Sequence, residues 1–384
     1  MTSRFRIVVV GGGITGLAVA ARLAQGRHAA ALDIHLVDAA SRAEFRCSDD
    51  IALRVSAIAN GSVEFLQSLG AWHAVAEARV SPYEQMCVWD ESDAPDSATA
   101  LHFDAAEFAV PQLGFIVENV LLQDALLRVL DDSNVALKFD TALEELPAAD
   151  LLIGADGARS FVRQQSGIKT NQWSYEQTAV VTHLATEFAH ERRALQRFLR
   201  NGPLGMLPLS DGRISVVWST QPELATQAMQ ASDIELGQML TEASDGVLGK
   251  LEVAGPKGAF PLCAQHAEEY IRPGVALIGD AAHAIHPLAG QGANLGLQDA
   301  AELSRVIEVA LDEGLHPADR PVLRRYERAR KGVNLTMLHF LTGLNRLFAT
   351  DSALVGEIRS VGMRLFNRSG PLKERAVKVA LGVN

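Results

Sequence analysis

The chain has 384 residues, of which 48% are hydrophobic and 21% charged; these globular values exclude wholesale disorder and, at this length, predict two domains. A formal net charge of −11 argues against a general nucleic-acid binder. The charge is uneven: from Arg320 to Asn384 thirteen Lys and Arg face four Asp and Glu, a local +9, so the remainder carries −20. Cys47, Cys87 and Cys263 lie far apart without a C-x-x-C; neither a disulfide framework nor a zinc site is expected, and a cytoplasmic location is. No stretch approaches the roughly 20 uninterrupted apolar residues of a membrane span, and the run Arg6 to Val10 is too short for a signal peptide.

Phe5 to Val10 is a β-branched run that predicts a buried strand of a parallel sheet. Gly11-Gly12-Gly13-Ile14-Thr15-Gly16 follows, with Gly11, Gly13 and Gly16 in G-x-G-x-x-G register, then a helix from Leu17 to Ala24. A second strand, Ile34 to Val37, ends at Asp38, 22 residues after Gly16. Each residue has a task. Gly11 permits the tight turn, Gly13 lets backbone approach a pyrophosphate, Gly16 lets helix pack on strand, and Asp38 can accept hydrogen bonds from an adenosine ribose. Strand, helix, strand and acid in this order predict a dinucleotide site, without distinguishing NAD from FAD.

Beyond Asp50, Arg54 can pair with a phosphate, cap a flavin edge or sit on the surface. A helix is expected from Gly61 to Leu69, a strand from Met86 to Trp89, and a helix after Asn119 with Gln123 near its start. Val135 to Phe139 predicts a short strand. Ala149 to Ile153 is another buried strand, ending at Gly154-Ala155-Asp156-Gly157; Asp156 is either a turn residue or a second strand-end carboxylate at the site. From residue 175 the runs Ala179–Thr182, Gly205–Leu209 and Ile214–Trp218 predict an antiparallel sheet, with a hairpin at Ser210-Asp211-Gly212. Phe260-Pro261-Leu262 begins the return to the first domain.

Val275 to Ile278 predicts a strand that breaks at Gly279-Asp280. Gly290-Gln291-Gly292-Ala293-Asn294 then opens a helix whose free N–H groups and dipole suit an anion or an electron-rich carbonyl. His283 and His286 are expected to be structural, and no metal site is predicted. After Pro321 the pattern is helical. Met337, Leu341, Leu344 and Phe348 form an apolar stripe suited to packing on the body or, less favoured, to a basic membrane-surface helix.

Three motifs, GGGITG, IGADGARSFVR and IGDAAHAIHPLAGQGANLGLQDA, together resemble the FAD-dependent aromatic hydroxylases of the para-hydroxybenzoate hydroxylase fold. RVSAIANGSVEFLQSLGAW, GFIVEN, QRFLRNGPLGMLPL and SVVWS are similar to the ubiquinone-biosynthesis hydroxylases within that group. The resemblance implies an α/β protein with a Rossmann-like FAD-binding domain of the glutathione-reductase type, formed by 1–74, 107–168 and 266–319. A substrate domain with an antiparallel sheet takes 75–106 and 169–265, and a basic helical region 320–384. It implies that Gly11, Gly13, Gly16 and Asp38 hold the ADP half of FAD, and that Arg54 and Gln123 contact its phosphate–ribityl region. Asp156 and Gly157 belong to a motif associated with FAD and NAD(P)H. Asp280 would bind the ribityl or pyrophosphate region. Pro287, Gly290, Gln291, Gly292, Ala293 and Asn294 would border the flavin ring.

The implied reaction is ring hydroxylation of a polyprenyl phenol, a lipophilic ubiquinone precursor. It uses O2 and a transient reductant such as NAD(P)H, through a flavin hydroperoxide. A small soluble phenol as substrate, or a non-catalytic flavin- or lipid-binding component of a quinone-biosynthesis complex, are the alternatives. Met206, Pro208, Val217 and Trp218 are the candidate substrate-lining residues, with a strand phase that a one-residue shift would invert; no catalytic acid or base is identified. Asp38 stands where the family usually has Glu, and Ala293 where leucine is common. Residues 140–148 are shorter than the family's segment, which implies a trimmed flanking sheet and looser FAD. The basic C-terminus implies contact with an anionic membrane surface or with other ubiquinone-biosynthesis proteins.

Overall fold

The computed structural model describes residues 4–286, 291–349, 361–367, 369–370 and 373–374. The N-terminal β-branched run forms the strand Phe5–Val10, with its last four residues buried, as a central parallel strand requires. Leu32–Val37 pairs parallel on one side of it and Leu151–Gly154 on the other. Among the described residues this sheet has six strands, in the order Ile271–Arg272, Val275–Leu277, Leu151–Gly154, Phe5–Val10, Leu32–Val37, Ala136–Lys138. Every pairing is parallel except that of Ile271–Arg272 at the edge. The helix Ile14–Ala24 packs on the helices Asn119–Asp131 and Gln291–Asp312 and shares the main core with them and with the sheet. The C-terminal ends of neighbouring parallel strands therefore converge on one crevice, where open α/β sheets bind ligands. Residues 140–150 contain no strand.

A second sheet of nine strands runs His283–Ala284, Gly258–Ala267, Thr170–Thr186, Ile214–Thr220, Gly202–Pro208, Arg193–Leu199, Gln85–Asp90, Leu101–Asp104, with Leu251–Val253 added on Thr170–Thr186. It is antiparallel apart from the parallel pair Arg193–Leu199 and Gln85–Asp90. Arg193–Leu199 carries no period-two signal because Gln196 and Arg197 interrupt the apolar residues. The structure buries Arg197 by giving its guanidinium the carbonyls of Ala243 and Glu91, at 3.0 and 3.1 Å. The expected return to the first sheet at Phe260 is corrected. Gly258–Ala267 is one strand of the second sheet, and the chain re-enters the first sheet only at Ile271.

Alternation along the second sheet sets its two faces. Val180, Leu204, Met206, Ile214, Val216 and Trp218 pack in one core with residues of the helices Pro222–Gln230 and Asp233–Ala243. Ala179, Val181, Leu207, Ser215 and Val217 face a cleft shared with the first sheet. A small sheet of Val55–Ala59, Gly114–Glu118 and Ser81–Tyr83 closes one side.

The helix Arg320–Ala349 joins the two sheets. Its first half is tied to the first sheet's surroundings: the Tyr326 hydroxyl donates to Leu277 O at 2.8 Å, and Glu327 accepts from the Tyr270 amide at 2.9 Å. Its second half packs Leu341 and Phe348 against Val88 and Phe198, with the Phe198 and Phe348 rings stacked 4.0 Å apart. The stripe of Met337, Leu341, Leu344 and Phe348 is thus a packing face. Val333, Phe340 and Leu347 are exposed on this helix.

Candidate active site

The crevice is a cleft of about 1200 Å³, above the range of roughly 300–1,000 Å³ typical of a small-molecule pocket. It runs from the glycine-rich turn to the second sheet. Gly11, Gly13, Asp38, Arg54, Gln123, Asp156, Gly157, Asp280, Gly292 and Ala293 all line it. Gly11, Asp38, Asp156 and Asp280 are brought together because the strands that precede them are neighbours in the sheet, while Gln123, Gly292 and Ala293 are supplied by the helices Asn119–Asp131 and Gln291–Asp312.

The turn after Phe5–Val10 shows why glycine is needed. Gly11 has φ 112°, and a Cβ there would stand 2.2 Å from Ala155 O. A Cβ on Gly16 would lie 1.9 Å from Gly11 O, so the helix can approach the strand only without a side chain. Gly16 therefore does not line the cleft; it closes the turn beneath it. At Gly13 a Cβ would meet no atom within 4 Å, and this open side faces the cleft. Asp38 accepts hydrogen bonds from the Gly12 amide and from the Ala40 amide, the latter at 2.7 Å. Gln123 donates to Gly12 O at 3.2 Å. The carboxylate and the amide side chain thus brace the turn as well as facing the cleft.

Asp156 accepts the Val162 amide at 3.0 Å through Oδ2, while its Oδ1 is buried with no partner among the described residues. Arg163 is buried, donating to Ala281 O at 2.9 Å and Ala158 O at 2.8 Å; it ties the Asp156 loop to the Asp280 loop. Asp280 is reachable by way of the cleft yet surrounded by protein. Burial pushes its carboxyl up, against the opposing effect of His283 and Arg54.

Some expectations are corrected. Asn294 does not border the cleft. Its side chain accepts the Ala59 amide at 2.9 Å and donates to Ala57 O at 2.8 Å, locking the helix Gln291–Asp312 to the strand Val55–Ala59. Gln291 begins that helix outside the lining. Pro287 and Gly290 lie outside the described residues. On the second sheet, Val217 lines the cleft, but Met206 and Trp218 lie in the helix-facing core. Pro208 pairs directly with Ile214 and shares its helix-facing side. The strand phase is the inverse of the one that would have placed Met206 and Trp218 at the substrate.

His283 and His286 have protein partners. His283 Nε2 lies 2.5 Å from Asp299 Oδ2, and His286 Nε2 lies 3.2 Å from Gln177 Oε1. Asp299, fully buried, also accepts the Gly279 amide at 3.1 Å, Arg330 Nε at 2.7 Å and Asn334 Nδ2 at 3.0 Å. Burial disfavours its charge, but His283 and Arg330 outweigh burial and hold the carboxyl below the usual range. Sequence reasoning missed this centre. Its one signal was a lone acid at the end of GLQD, on an otherwise apolar helix face.

The FAD binding domain family matches residues 4–340. The chain belongs to this family. The 3-demethoxyubiquinol 3-hydroxylase of Escherichia coli is 36% identical over 396 residues, covering 98% of both chains. Ubiquinone biosynthesis monooxygenase COQ6 of Homo sapiens is 32% identical, covering 98% of this chain and 92% of its own. Among solved structures, the p-nitrophenol 4-monooxygenase PnpA of Pseudomonas putida superposes with TM-score 0.76 at 18% identity, over 98% of this chain and 97% of that one. The protein is an FAD-dependent monooxygenase of the ubiquinone-biosynthesis hydroxylase group, on the para-hydroxybenzoate hydroxylase fold. The monooxygenase's cleft fits FAD by its own features: the close-packed turn at Gly11 and Gly16, the open side of Gly13, the unpaired Asp156 Oδ1, and room for a dinucleotide beside a second molecule.

Proposed function

We propose that the enzyme hydroxylates the ring of a polyprenyl phenol on the way to ubiquinone, with O2 and a transient reductant such as NAD(P)H. The observation that carries this reading is the continuity of the cleft. One end is the glycine turn with Asp38; the other is an apolar wall of Ala179, Val181, Leu207, Val217 and Phe260, suited to an aromatic ring and its lipid chain. FAD, when bound, activates O2 and supplies the oxygen atom for transfer. The chain binds and orients. Gly11, Gly13 and Asp38 hold the ADP half; Arg54, Gln123 and Asp280 hold the pyrophosphate and ribityl region. Gly292 and Ala293, in the first turn of the helix Gln291–Asp312, place its positive end beside the ring system, where negative charge develops on reduction. Asp156 and Gly157 border the same region and the reductant's approach. In this reading 1–74, 107–168 and 266–319 hold the cofactor, 75–106 and 169–265 cover the substrate, and 320–384 faces the lipid source.

The exposed Val333, Phe340 and Leu347 share the helix Arg320–Ala349 with Arg324 and Arg328, an apolar and basic combination suited to an anionic bilayer. No helix among the described residues is long and apolar enough to cross a membrane. The test is metabolite analysis of a deletion strain, with reconstituted turnover alongside. An accumulated under-hydroxylated quinone precursor, and NAD(P)H oxidation coupled to product, are expected. Normal ubiquinone in the deletion strain would refute the reading. Cosedimentation with phosphatidylglycerol vesicles, lost in Arg324→Glu/Arg328→Glu, tests the surface.

A further inference from the structure

Between the strands Leu32–Val37 and Val55–Ala59 the chain forms neither strand nor helix, a length of coil that compact domains keep for function more often than for connection. Its last residues, Ala52, Leu53 and Arg54, line the cleft. Arg54 is exposed there, and its guanidinium is paired with no protein group among the described residues. No protein group holds this long, rotamer-rich side chain directly, so its direction is set by the backbone that carries it.

That backbone is fastened from behind, by two residues outside the cleft lining. Glu118 ends the strand Gly114–Glu118, and its side chain is 4% exposed. The carboxylate accepts the Ala52 amide at 2.7 Å, Arg79 Nε at 2.7 Å and Arg79 Nη2 at 3.0 Å. Arg79, just past the helix Trp72–Ala78, turns its donors on the same coil: Nη1 reaches Asp49 O at 2.9 Å, and Nη2 reaches Asp50 O at 3.3 Å. The Phe45 ring lies against the guanidinium, 5.1 Å away. Val55 pairs with Glu118 itself, and the amide of the next residue, Asn119, donates to Arg54 O at 3.0 Å. One forked ion pair thus meets the coil at Phe45, Asp49, Asp50 and Ala52, ending two residues before Arg54.

We propose that Glu118 and Arg79 are positioning residues for the cofactor: they set the backbone at 52–54 so that Arg54 meets the pyrophosphate–ribityl part of FAD. The inference rests on the placement of Arg54 at FAD under the proposed function. A buried ion pair contributes little net stability over apolar packing of similar volume, but its forked hydrogen bonds fix one geometry. Here the carboxylate serves the coil's own amide and the guanidinium together, so losing its charge releases the coil on both sides of Ile51. The disturbance reaches FAD through Arg54. The adenosine end is untouched, because Gly11, Gly13 and Asp38 belong to other strand ends, and Asp38 is braced by the Gly12 and Ala40 amides.

The test is a double-mutant cycle on FAD affinity, read from the flavin released on dilution of the holoenzyme. Arg54→Ala should weaken FAD about tenfold or more, and Glu118→Gln about fivefold or more. Because Glu118 acts through Arg54, Glu118→Gln should cost less than about a further twofold on the Arg54→Ala background. On the Asp38→Ala background, at the other end of the cofactor, its full factor should multiply. Arg79→Lys keeps the charge and loses the fork; it should show the same pattern, and it decides the matter if Glu118→Gln does not fold. The visible circular dichroism of the bound flavin should change alike in Arg54→Ala and in the two clamp variants. Undiminished affinity in Arg54→Ala overturns the placement of Arg54 at FAD, and the inference with it. A loss in Arg54→Ala with none in Glu118→Gln and Arg79→Lys, losses that multiply fully on both backgrounds, or a wild-type flavin spectrum in both clamp variants overturns the positioning role alone.

Discussion

Asp299→Asn removes one charge from the centre that joins the cleft floor to the C-terminal helix. The carboxylate accepts four hydrogen bonds, from Gly279 N, His283 Nε2, Arg330 Nε and Asn334 Nδ2. Asparagine keeps the shape but turns an amide N–H₂ toward donors and leaves Arg330, 8% exposed, without its counter-ion. Removing one member of a buried ion pair costs about 3–5 kcal/mol. Unfolding entropy near 2.1 cal/mol/K per residue gives about 0.8 kcal/mol/K for 384 residues. The expected fall in Tm is therefore about 4–6 °C, read by calorimetry on the holoenzyme. Adding Arg330→Met replaces the stranded charge with an apolar chain and should recover at least about half of the loss. A Tm within about 1 °C of wild type for Asp299→Asn, or a double variant worse than the single by the full cost of a second independent lesion, would refute the buried-charge reasoning.

Four other outcomes follow from the geometry. Val217→Trp should fill the cleft, raising KM for a phenolic substrate at least about tenfold with FAD retained. Met206→Ala, on the other face of the same sheet, should instead cost about 2–5 kcal/mol of stability with KM unchanged; equal KM effects would refute the face assignment. Asp38→Ala should weaken FAD binding about 10- to 100-fold, the equivalent of about 1.5–3 kcal/mol for lost charged hydrogen bonds, measured by flavin fluorescence. Finally, burial pushes His266 and His286 down to about 4, whereas an unfolded histidine titrates near 6.5. Their contribution is fully present above about pH 6.5 and is lost as pH falls toward 4, because the unfolded chain then binds more protons. Urea midpoints should fall steeply across that window, and His286→Gln should flatten the fall; a midpoint constant from pH 7 to about 4.5 would contradict it.

The family and the cofactor end of the site were legible in the chain because their signals are local. A tight turn under a helix demands glycine at 11 and 16, and a strand-end acid follows at a spacing that one βαβ unit determines. Asp156 and Asp280 stood out for the same reason, each just after the break of a short apolar run. The interior assignments needed three dimensions. Period-two alternation in Gly202–Pro208 and Ile214–Thr220 shows that two faces exist, yet both faces are apolar here, one against helices and one against the cleft, so Met206 and Val217 cannot be told apart by hydropathy. Asn294 resembled a flavin neighbour in its motif, and only the position of Val55–Ala59 gives its amide another use. The roles of Asp299 and Arg330 depend on a contact across 31 residues of sequence. Local backbone demands are written residue by residue. Which side of a sheet meets a helix and which meets a ligand is decided by what packs against it, and only the tertiary structure determines that.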